Sequence, residues 1–125
     1  MNESSRRFEA GPDLFGRVWN VQFRWLQTGI SIRHADTVDV KFFATPQDGD
    51  AEEKVIALPH EALLKLCAER NHKLSDAYCM RLAAAHLKQM IETTEDMDKN
   101  LVTLSPEDLA RYDSQLNSET VPKGG

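Results

Sequence analysis

Between Arg17 and Phe42 the apolar residues recur at every second position, and from Pro59 to Ile91 they recur at every third or fourth. A period of two belongs to a strand with one buried face, and alternating steps of three and four belong to a helix with one buried face. A chain written in this order folds as a sheet first and a helical layer second, with the two apolar surfaces turned toward each other. That is an α+β architecture.

Trp19, Val21, Phe23 and Trp25 fall on one side of a strand spanning residues 17–26, while Asn20, Gln22 and Arg24 fall on the other. Gln27-Thr28-Gly29 has turn composition, and Ile30 to His34 repeats the alternation with Ile30 and Ile32 inward. Ala35-Asp36-Thr37 then leads into Val38, Val40 and Phe42, again spaced by two. Lys54 to Leu58 is a fourth strand, stopped by Pro59, whose missing amide hydrogen suits the first position of a helix. The expected sheet is therefore a four-stranded, mainly antiparallel meander over residues 17–58. The stretch TPQDGDAEE, residues 45–53, is expected to be an exposed loop.

Two packed helices follow. The first runs to about Arg70 and buries Leu63, Leu66 and Cys67, and Asn71-His72-Lys73 breaks it. Ser75 is an N-cap for the second, which extends to about Glu92 with Ala77, Met80, Ala84, Leu87 and Ile91 on one stripe. Ala83, Ala84 and Ala85 give that helix a small-residue surface that lets another element approach closely. Thr93 to Asn100 reads as a polar linker, and Leu101, Val102 and Leu104 as a short extended segment. Ser105-Pro106-Glu107-Asp108 opens a last helix of about two turns, to Asp113 or Leu116. Residues 1–13 are expected to be a mobile arm, 14–116 a single domain and 117–125 a frayed tail.

A chain of 125 residues buries about two-thirds of its unfolded surface and needs no disulfide or metal staple. Cys67 and Cys79 are expected to be buried free thiols. No apolar run reaches the length of a membrane span, and Met1 to Arg7 lacks the apolar stretch of a secretory signal. The expectation is a soluble, cytoplasmic protein. The net charge of −5 is unevenly spread: residues 1–45 carry +1 and the remainder −6. An acidic surface repels phosphate backbones, which weighs against nucleic acid and anionic membranes as partners.

Residue patterns that carry chemistry are sparse. His60 and Cys67, like Cys79 and His86, are seven apart on one helix. That is about 10.5 Å along the axis, too far to share a zinc whose bonds are about 2.0–2.3 Å. Asp48, Asp50, Glu52 and Glu53 cluster, but without the ligand spacing of a calcium loop. There is no GxSxG elbow and no glycine-rich phosphate loop. No metal and no cofactor are expected. An enzyme would have to assemble a cleft from His34, His60, His72 or His86 and nearby carboxylates.

Lys54 to Leu58, the helix from His60 to Arg70 and the longer helix opened by Leu74-Ser75-Asp76-Ala77 make a strand–helix–helix unit over residues 53–92. This unit resembles the ribbon–helix–helix family of bacterial DNA-binding proteins. The resemblance implies a homodimer whose paired strands enter the major groove, with Glu53, Val55 and Ala57 facing outward. Base readout uses Arg, Lys, Asn, Gln or Thr, and none of the three is one of these. A strand apolar on both faces, such as Val55-Ile56-Ala57-Leu58, also fits inside a sheet beneath a helix.

The N-terminal part holds seven of the nine aromatic residues, with Arg17, Arg24, Arg33 and Lys41 among them. These four cations form the candidate interaction surface, and the aromatics beside them are expected to be core. The sequence thus leads first to a small non-enzymatic binding or regulatory protein acting through a protein partner or self-association. A ribbon–helix–helix DNA-binding regulator is the second expectation, and the histidine-and-carboxylate enzyme the third.

Overall fold

The computed structural model describes residues 7–29, 37–71 and 73–120. Among these residues five strands form: β1 (Arg7–Ala10), β2 (Trp19–Gly29), β3 (Thr37–Pro46), β4 (Glu52–Pro59) and β5 (Leu101–Thr103). The same residues form three helices, α1 (His60–Arg70), α2 (Asp76–Thr93) and α3 (Pro106–Thr120). The strands lie in the order β1-β2-β3-β4-β5. The first three pairings are antiparallel and β4–β5 is parallel, because α1 and α2 carry the chain back across the sheet before β5.

All three helices lie on one face. α2 crosses β1 to β4, α1 covers β3 and β4, and α3 closes over α1 and α2. Trp19, Val21, Val40, Phe42, Ile56 and Leu58 meet Leu63, Leu82, Leu87 and Ile91 in one apolar core. Phe42 is its hub within the sheet, with the rings of Phe8 and Phe23 edge-on at 6.5 and 6.1 Å. In the helical layer Asp113 is fully buried, where it accepts from the Tyr78 hydroxyl at 2.6 Å and pairs with Arg70 at 3.5 Å. One carboxylate thus ties α1, α2 and α3 together.

The helix signals stand where the sequence puts them. Ser75 Oγ accepts from the Tyr78 amide at 3.2 Å and opens α2. Ser105 and Asp108 exchange reciprocal bonds of 3.1 and 3.2 Å at the start of α3. Pro59 is the extended N-cap of α1 rather than its first helical residue, and Asn71 closes α1 in the left-handed conformation.

Several expectations are corrected. Residues 7–10, assigned to a mobile arm, form β1, because Phe8 and Ala10 continue the inward set of Val21 and Trp19 opposite them. The turn after β1 is held by Asp13, whose carboxylate accepts from the amides of Phe15 and Arg17, the Arg17 guanidinium and the Trp19 indole. Gly11 is required at its start: at φ +117° a Cβ would lie 2.8 Å from the Arg17 carbonyl oxygen. Gln27-Thr28-Gly29 is not a turn, since the ladder continues through it to Gly29 opposite Thr37. The strand expected at Ile30 to His34 lies outside the described residues.

Glu52 and Glu53 belong to β4 rather than to a loop. The linker 93–100 is fastened from below: Lys54 is 1% exposed, and its ammonium donates to the carbonyls of Met97 and Lys99 at 2.6 and 2.9 Å. α3 runs 15 residues, to Thr120, past the boundary expected at 116, because Leu109 and Tyr112 are buried and its cap is complete. Finally, β4 is paired with β3 along its length and with β5 at Val55 to Ala57. It therefore has no free side for the intersubunit ribbon that the ribbon–helix–helix resemblance implies.

Candidate interaction surface

Among the described residues no helix packs on the second face of the sheet, and a bulge in β2 decides what this uncovered face carries. Phe23 pairs with Phe42 and Trp25 with Lys41, so Arg24 is the extra residue. Before the bulge Trp19, Val21 and Phe23 point to the helices; after it Leu26 takes the inward place opposite Val40, and Trp25 turns outward. Trp25 is 38% exposed. The sequence expectation that Trp25 belongs to the core face is thereby corrected, for a one-residue insertion reverses the side of every residue beyond it.

Register then brings Trp25, Lys41, Val55 and Leu101 into one row across β2, β3, β4 and β5. Leu101 is 58% exposed, while Lys41, Phe43 and Val55 are half-buried. Phe43 and Glu53 flank the row on the same face. The Lys41 ammonium sits 5.4 Å from the Trp25 ring centre and 5.7 Å from that of Phe43, and is ion-paired with Glu53. The Arg24 guanidinium lies 4.9 Å over Phe43 and has no ion-pair partner among the described residues. Because each cation rests on a ring, the aromatic faces are held in place and the charges stay at the surface.

Of the four cations named from sequence, Arg24 and Lys41 therefore meet on this face. Arg17 does not: it belongs to the Asp13 turn, where its Nε donates to that carboxylate at 3.0 Å. Arg33 lies outside the described residues. The sequence placed Glu53, Val55 and Ala57 on one outward side of their strand, and they do share the uncovered face, but as part of a sheet. Leu101 carried no signal beyond a short apolar run, and its place in the row follows from the parallel pairing of β5.

Two of the four histidines are among the described residues. His34 and His72 lie outside the described residues, and His60 opens α1. His86, on α2, bonds through Nδ1 to the Tyr112 hydroxyl at 2.8 Å, and that hydroxyl donates to Gln89 at 2.9 Å. Its Nε2 is buried without a hydrogen-bond partner among the described residues. Burial pushes the His86 pKa below its ordinary value, with the Arg111 charge acting the same way against Asp108, Asp96 and Glu95. Burial likewise pushes the Cys79 thiol up to about 12, aided by the charges of Asp76 and Cys67. It raises Cys67 too, with the charge of Asp113 adding to the effect. Both cysteines are free and buried, and therefore protonated at neutral pH.

Among the described residues no group of three or more His, Cys, Asp or Glu is placed to hold a metal. Among them, too, no helix is long and apolar enough to cross a membrane.

Fold and surface together define a class: a five-stranded mixed sheet covered by three helices on one face and carrying an aromatic and cationic row on the other. Compared with known proteins, the chain matches no family model, no curated protein and no solved structure.

Proposed function

We propose that this protein is a non-enzymatic binding protein that engages a protein partner through the uncovered face of its sheet. The observation that carries the reading is the row Trp25, Lys41, Val55 and Leu101, with Arg24 and Phe43 beside it. Tryptophan and arginine are the side chains that dominate protein–protein binding energy, because each brings a large apolar surface with a polar handle. Among the described residues the register gives this face three cations, Arg7, Arg24 and Lys41, and three carboxylates, Glu9, Asp39 and Glu53. A balanced face of this kind is poorly suited to a polyanion, whose binding grows with the number of phosphates neutralised. It suits a protein surface that offers an apolar anchor with a carboxylate to meet Arg24.

Site-specific photocrosslinking in a lysate of the source organism tests this. A crosslinker at Leu101 should give a protein adduct that one at Leu64, exposed on α1, does not. Excess wild-type protein should suppress that adduct, whereas excess folded Trp25→Glu should not. Equal adducts at both positions, equal competition by Trp25→Glu, or adducts to nucleic acid alone would overturn the reading.

A further inference from the structure

The sheet has an edge whose side chains complement themselves. β1 has β2 on one side and no strand on the other among the described residues, so half of its backbone donors and acceptors face outward. Arg7 and Glu9 are exposed and form no ion pair among the described residues, while Phe8 between them is half-buried. We propose that β1 pairs antiparallel with β1 of a second copy, about a two-fold axis through Phe8.

The register follows from face and charge. Directly opposed residues of an antiparallel pair project on the same side of the sheet. In β1, Arg7 and Glu9 lie on the uncovered side and Phe8 and Ala10 on the helix side, so the axis has to pass through a residue. An axis at Glu9 opposes Glu9 to Glu9 of the second copy, two like charges at close range. An axis at Phe8 opposes Arg7 to the second copy's Glu9, and Glu9 to its Arg7, with the two Phe8 rings meeting beneath. The attractive pair occurs twice because the contact is isologous.

A second feature supports the same partner. Between β1, α2 and α3 lies a cleft of about 460 Å³ with a mixed lining, in which Phe8, Ala84 and Ala85 sit beside Arg81, Lys88 and Glu92. A two-fold axis perpendicular to the sheet keeps both helical layers on one side, so the cleft of one copy faces that of the other. Ala84 and Ala85 leave room for the approach, and the mixed polar and apolar lining extends the contact beyond the three opposed residue pairs. The product is a continuous ten-stranded sheet. Its two Trp25 rows lie on the same side, which would give the proposed binding face two-fold valency; only this consequence depends on the functional reading.

Charge reversal and exchange test the pairing by sedimentation equilibrium, with circular dichroism to confirm folding. The wild type should have twice the chain mass of 14.1 kDa. Arg7→Glu alone and Glu9→Arg alone should each weaken the dimer about tenfold or more, because two attractive pairs become two repulsive ones. The double variant, Arg7→Glu with Glu9→Arg, should restore it. A monomer at every concentration, a dimer indifferent to either single reversal, or a double variant as weak as the singles would overturn the proposal. A dimer lost in Trp25→Glu but not in Arg7→Glu would place the contact on the uncovered face and overturn it as well.

Discussion

Replacing the two tryptophans one at a time tests the bulge that separates them. Trp19 is 3% exposed, packs beneath α2 and donates its indole N–H to Asp13 at 2.9 Å. Trp19→Ala removes a buried ring and leaves a cavity, a change that costs about 3–5 kcal/mol. Trp25 is 38% exposed on the side without helices. Its removal opens no enclosed cavity. The lost transfer energy of a partly buried ring and a surface cation–π contact together amount to about 1–2 kcal/mol.

A chain of 125 residues has an unfolding entropy of about 0.26 kcal/mol per kelvin, so each kcal/mol moves the midpoint by about 4 °C. Thermal melts followed by far-ultraviolet circular dichroism should therefore drop by about 12–20 °C for Trp19→Ala and about 4–8 °C for Trp25→Ala. Equal losses would put both rings in the core, remove the bulge and refute the assignment of the uncovered face.

Three further outcomes follow from the buried polar groups. Burial alone would raise the Asp13 pKa, but the bonds from Trp19, Arg17 and Phe15 outweigh it and bring it from 3.8 to about 2. A folded pKa below the unfolded one gives stability that is present above pH 3.8 and lost as the pH falls through about 2. The excess melting temperature of wild type over Asp13→Asn should shrink across that window, and a constant excess would refute the role. Lys54→Met should cost about 2–4 kcal/mol by stripping the donors from the Met97 and Lys99 carbonyls, with faster amide exchange at residues 97–100. An unchanged midpoint would contradict that anchor. The His86 imidazole, followed by proton NMR, should titrate below 6.5, since its buried site favours the neutral ring. Stability linked to it is present above 6.5 and lost at lower pH, and a midpoint at or above 6.5 would contradict the burial.

How much of this was legible in the sequence depended on whether the signal was local. Caps were, because Ser75 and Ser105 act on amides three residues away. Alternation placed Trp19, Val21, Val38, Val40 and Phe42 inside correctly, for their pairing is regular. It failed at Trp25 because a bulge is a property of two strands, and nothing in Phe23-Arg24-Trp25 alone marks the extra residue. β1 was missed because Arg-Phe-Glu-Ala is too short to show a period, and its order comes from β2 and α2. Lys54 showed in the sequence only as the first residue of an apolar strand. It is buried because the loop after α2, 43 residues further on, supplies carbonyls to its ammonium. The candidate surface was half legible: Arg24 and Lys41 were named, but Trp25, Val55 and Leu101 joined them only through the register of four strands.

Acrylamide quenching of Trp25 in the Trp19→Phe variant examines the uncovered face with a single reporter. With Trp25 the sole tryptophan, folded protein should show red-shifted emission that the quencher reduces readily. The same result should hold at concentrations where β1 edges pair, because that contact leaves the row exposed. Blue-shifted, quencher-resistant emission from the folded protein would mean the face is covered, and the proposed binding surface would not exist.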